Sequence, residues 1–137
     1  MLLANHLGVL HSTLGTLAET FREVAARHGD EPDVRHICAL LAQRIDRQAE
    51  QLKPVVDRYG ESGDPEPSLL RDLQDLYALA SFTDVTWTVV GQAAQGLRDK
   101  ELMDVVSACE QDTARQLAWL KTRIKQSAPQ ALIVAGS

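Results

Sequence analysis

Apolar and polar residues alternate with a helical period over most of this chain. From Leu3 the apolar positions step by four and three residues: Leu3, Leu7, Leu10, Leu14, Leu17, Phe21 and Val24. Such spacing keeps one seam toward a partner helix, and it predicts a first helix over about 3–28. Arg27 and His28 suit its negative end, and Gly29 suits a left-handed cap.

Acidic residues and Pro32 then mark a second start, and the spacing predicts a helix over about 33–59. Its expected core face is Val34, Ile37, Leu41, Ile45, Leu52, Val55 and Tyr59, with Gln48 amid that face and Arg44 at its edge. Pro54 removes one helical hydrogen bond and predicts a bend. Gly60 closes the helix. The breaker-rich stretch 60–68 (GESGDPEPS) follows, where Asp64 or Ser68 caps a third helix over about 65–97. Asp99 caps a fourth, over about 99–127, which Pro129 ends. Leu102, Val105, Val106, Cys109, Leu120 and Ile124 are expected inward on it, with Thr113 and Gln116 on the same face and Trp119 at the flank. Lys121, Arg123 and Lys125 complement its negative end. An apolar tail, 128–137, is too short for a further helix.

The third helix departs from the ordinary pattern of one greasy stripe and a polar back. One stripe is Leu69, Leu73, Leu76, Ala80, Trp87, Gly91 and Ala94, with Asp84 inserted at its edge. The other, on the opposite side, is Ala78, Phe82, Val85, Val89, Ala93 and Gly96. A helix apolar on both sides is expected to be covered on both. The simplest cover for the second stripe is a second copy, which predicts a homodimer through the third helix. The competing cover is the tail Ala131–Val134, from the same chain or from its partner.

Four such helices predict an all-α, antiparallel four-helix bundle forming a single domain, 1–137. About five to eight linking residues after Gly60 reach at most about 28 Å, short of the roughly 39 Å of a 26-residue helix. A full-length crossover is therefore disfavoured, and up-down-up-down topology is expected, with a ferritin-like crossover as the alternative.

Composition narrows the chemistry. A net charge of −5 and 4% aromatic residues argue against nucleic acid. Polar residues interrupt the third helix and argue against a membrane span. The start, MLLANHLGVLH, lacks the features of a signal peptide, so a cytoplasmic protein is expected. Two cysteines, Cys38 and Cys109, fall on core-facing positions and suit buried free thiols rather than a disulfide scaffold.

Stacking the helices at 1.5 Å per residue sets Asp84 level with Arg44 and Thr113, and Gln116 within a turn. Two readings follow for Asp84, Arg44, Thr113, Gln116, Trp87 and Gln48. They form a satisfied polar layer that fixes helix register, or a binding site for a small ligand or single metal; failing both, Asp84 faces solvent or a subunit boundary. A di-metal carboxylate centre needs glutamates on two helices and Glu-x-x-His on two more. Here Ile45-x-x-Gln48 and Glu110-x-x-Thr113 occupy the matching places, so that centre is not expected. His6 and His11 are set about 140° apart around the helix, which disfavours a shared ion. No catalytic acid–base pair or nucleophile can be named, and no metal or cofactor is expected.

The segments Glu31–Cys38 (EPDVRHIC) and Gln116–Leu132 (QLAWLKTRIKQSAPQAL), on helical pairs, resemble uncharacterised bacterial proteins of the ferritin-like type. That resemblance implies a helical bundle and no particular activity, and only the position of Asp84 carries over. The favoured function is a non-enzymatic dimeric interaction or scaffold protein. The alternative is a small-ligand or single-metal binder centred on Asp84.

Overall fold

The computed structural model describes residues 2–60 and 68–134. Among these residues the chain is all-α, with four long helices and no strand. They are α1 (Leu3–Arg27), α2 (Pro32–Tyr59), α3 (Leu69–Leu97) and α4 (Lys100–Pro129), and a π-helical turn, Gln130–Val134, follows. The contacts divide the chain into two compact units: a hairpin of α1 and α2, and a hairpin of α3 and α4 with the terminal turn. The expected return of the third helix depends on residues 61–67, which lie outside the described residues, as does the proposed cap at Asp64.

Local chemistry sets the helix ends. Glu31 is extended and Pro32 opens α2, where a missing N–H costs nothing. The Ser68 hydroxyl accepts the Arg71 N–H at 3.1 Å, and the Asp99 carboxylate accepts the Leu102 N–H at 3.1 Å. Of the two caps considered for α3, Ser68 is the one seen. α2 continues through Pro54 to Tyr59.

One expected ending differs, and the basic residues expected at the end of α4 fall short of it. Gly29 does not take a left-handed conformation; the chain leaves α1 by a turn in which the Glu31 N–H donates to the His28 carbonyl at 3.0 Å. Positive φ is found instead at Gly60 (89°) and Arg98 (54°). The fourth α-helix does end at Pro129, as expected. Proline is accommodated at its last position and the backbone widens into the π turn, which packs on α4. The helix therefore outlasts Lys121, Arg123 and Lys125, and its last turn carries no basic residue.

Burial shows which edge of each stripe is used. In the first hairpin Ala18, Ala42 and Ile45 form the centre, with Leu14 and Phe21 packed against them. Leu10 and Leu17, expected on the seam, are exposed, as is Ile37 on α2. The stripe on α1 is two columns wide, and α2 presses on the column holding the small Ala18 and Ala25. Alanine lets two helix backbones approach closely, which favours that edge. An ion pair between Arg22 and Asp46 bridges the two helices at the exposed rim.

In the second hairpin the buried residues of α4 are Val106, Thr113, Leu120 and Ser127, one every seventh position. This is a heptad seam. On α3 the matching line runs through buried Leu70, Leu73 and Ala94, and through half-buried Tyr77, Ala80, Asp84, Trp87 and Gly91. Leu69, Leu76 and Val105, expected inward, are exposed. No large side chain among the described residues is fully buried, and four of the nine buried hydrophobic residues are alanine. Each hairpin therefore has a thin core and leaves large apolar side chains in water.

Candidate functional site

Asp84 stands on the α3 seam, half-buried. Gly91 lies against Val106, as a Cβ added there would meet the Val106 Cγ1 at 3.2 Å. Counting back from that antiparallel contact sets Asp84 opposite Thr113, the level expected from helix stacking. The Thr113 side chain is buried, and its hydroxyl donates to the Cys109 carbonyl at 3.0 Å. Its polar requirement is thus met within its own helix. The Asp84 carboxylate makes no ion pair or hydrogen bond among the described residues. At half burial it keeps access to water, and no fully buried side-chain polar atom is left unpartnered among the described residues.

Of the other residues in the expected layer, Trp87 is half-buried on the same seam, one turn from Asp84. Gln116 is exposed on α4. Arg44 and Gln48 are exposed on α2, in the first hairpin. Glu110, also half-buried, lies near Gly91, where an added Cβ would come within 3.9 Å of its Oε1. Cys38 and Cys109 are free thiols, half-buried rather than fully enclosed. No group of three or more metal-ligating side chains is gathered among the described residues.

Sequence periodicity did not single out a groove on one flank of the second hairpin. Its walls are Leu76, Leu79, Ala80 and Thr83 from α3 and Arg115, Gln116, Trp119 and Leu120 from α4, around a volume of about 590 Å³. Leu76, Leu79 and Trp119 are 52%, 66% and 61% exposed. The only hint in the sequence was an excess of apolar residues off the seam: Leu79 belonged to neither stripe, and Trp119 lay at the flank. A smaller hollow of about 320 Å³ lies where the π turn meets the start of α3, between Leu69, Leu70 and Ala131.

The second stripe of α3 lies on the side opposite the α4 seam. Phe82, Val85 and Val89 are 70%, 55% and 65% exposed, and Ala78, Ala93 and Gly96 are exposed beside them. The terminal turn packs on α4 near the start of α3, so within this chain it leaves Phe82, Val85 and Val89 uncovered. Among the described residues no helix is long and apolar enough to cross a membrane. No family model, curated protein or solved structure matches the chain.

Proposed function

We propose that this chain is a non-enzymatic helical protein that acts by association, pairing with a second copy through the outer stripe of α3. One observation carries the reading. Phe82, Val85 and Val89 form a line of large apolar side chains, each more than half exposed, on the side of α3 turned away from α4. Contiguous apolar surface of this kind is costly in water and marks interaction sites. Ala78, Ala93 and Gly96 extend the line and permit close approach of a second helix backbone. Gly96 has open space where a side chain would be, so a partner helix meets no obstruction there. Light scattering tests the pairing: the expected mass at high micromolar concentration is about twice 15.1 kDa. A mass near that of one chain under those conditions rejects it.

Asp84 supports a second reading, a binder of a small ligand or a single metal. A carboxylate on a helix–helix seam, with no protein partner among the described residues, is the kind of group a ligand or ion completes. Elemental analysis of the purified protein separates the two: stoichiometric iron, manganese or zinc, lost on Asp84→Asn, favours this second reading.

A further inference from the structure

The flank groove of the second hairpin is not part of the stripe just described, and it has a direction. Its α3 wall runs from Leu76 to Thr83, about 10 Å along the helix axis. At the Leu76 end the facing residues are Trp119 and Leu120, and this end is wholly apolar. At the Thr83 end they are Arg115 and Gln116, so hydroxyl, guanidinium and amide converge there. Among the described residues, Arg115 is the one charged residue lining the groove.

We infer that this groove binds a free aliphatic monocarboxylate, its chain along Leu76, Leu79 and Trp119 and its carboxylate at Arg115. The volume, about 590 Å³, falls within the range of small-molecule sites, which are mostly apolar with a few placed polar groups. The length suits a chain of about eight to ten carbons. Charge complementarity selects the head group. A guanidinium offers several N–H donors in a plane, a match for a carboxylate. Arg115 spends one of them on Asp112, at a long 3.4 Å between exposed side chains, and its other donors remain for a ligand. Gln116 makes no hydrogen bond among the described residues, and its amide adds a donor at the same end. Thr83 donates its hydroxyl proton to the Leu79 carbonyl at 2.9 Å, which makes it an orienting wall rather than a donor.

Titration calorimetry of the whole chain with decanoate, kept below its micelle concentration, tests this. The expected result is saturable binding of one decanoate per chain. Arg115→Gln should weaken decanoate about fivefold and leave decanol unchanged, as expected for an exposed charge-assisted contact. Leu79→Asp should abolish both. Leu79 is exposed, so that variant keeps its fold, and its helical circular dichroism verifies this. The inference is overturned by no saturable heat with decanoate, by equal affinity in Arg115→Gln, or by many decanoates per chain. Binding only to phosphatidylglycerol vesicles overturns it in favour of a lipid surface. Failure of decanoate to bind a parent dimer that Leu79→Asp separates overturns it in favour of a second copy in the groove. None of these outcomes depends on whether Phe82, Val85 and Val89 pair.

Discussion

Two glycines inside helices carry opposite consequences. Gly15 on α1 has nothing within 4 Å of where a Cβ would lie, and it is exposed. Glycine there costs backbone entropy and returns no contact, so Gly15→Ala should stabilise the protein by about 0.5–1 kcal/mol in urea denaturation. Gly91 is the reverse case. A Cβ there would stand 3.2 Å from the Cγ1 of Val106, which is buried and stiff at its first side-chain torsion. Gly91→Val adds two further carbons toward α4 and should destabilise by about 1–3 kcal/mol. Val106→Ala should recover part of the loss, and a double-mutant cycle measures the coupling. Asp84 gives the third residue-scale test. A carboxylate at a seam position specifies register at a cost in stability, and here it has no protein partner among the described residues. Asp84→Leu should therefore raise the urea midpoint, by about 1 kcal/mol of stability, with the slope unchanged. A lowered midpoint would mean that the carboxylate is held by a favourable contact.

At the scale of elements, the end of α3 is where local structure and sequence disagree. Arg98 adopts φ 54° and ψ 35°, with its N–H donated to Gln95 and the Asp99 N–H donated to Ala94 at 3.0 Å. This double bond pattern satisfies the last carbonyls, and it calls for glycine at the left-handed position. An arginine there pays about 1 kcal/mol for its Cβ. Arg98→Gly should accordingly raise the thermal midpoint, since the exposed side chain gives up little in return. The same element shows what the pattern of apolar residues could and could not convey. The existence and extent of α1 to α4 were legible because steps of three and four recur over tens of residues, and caps such as Ser68 and Asp99 mark the starts. The edge of each stripe that meets its neighbour was not legible. Leu10 and Leu17 outweigh Ala18 and Ala25 in hydrophobicity, but closeness of approach favours the small side chains, and packing follows the alanines. The level of Asp84 with Thr113 was readable from helix rise alone, whereas its place on the seam was not, since the pattern set it at the edge of the stripe. The groove was not, because it needs the lateral offset of two helices that periodicity does not encode.

At the scale of the whole molecule, the decisive quantity is how much apolar surface the outer stripe of α3 offers a partner. From Ala78 to Gly96 the helix rises about 27 Å, and a helix face is roughly 10 Å across, a footprint near 300 Å². A standard stable interface buries about 800 Å² on each side, so this stripe alone supports a reversible dimer rather than a permanent one. Association that stabilises the folded chain by mass action makes its thermal midpoint depend on protein concentration. The midpoint should therefore rise as concentration increases, and Val89→Asp should remove that dependence. Val89 is 65% exposed, so at low concentration the variant's helix content and midpoint should match the parent's. The two effects separate a lost interface from a damaged fold. A concentration-independent midpoint in the parent would assign Phe82, Val85 and Val89 to a partner other than a second copy of this chain.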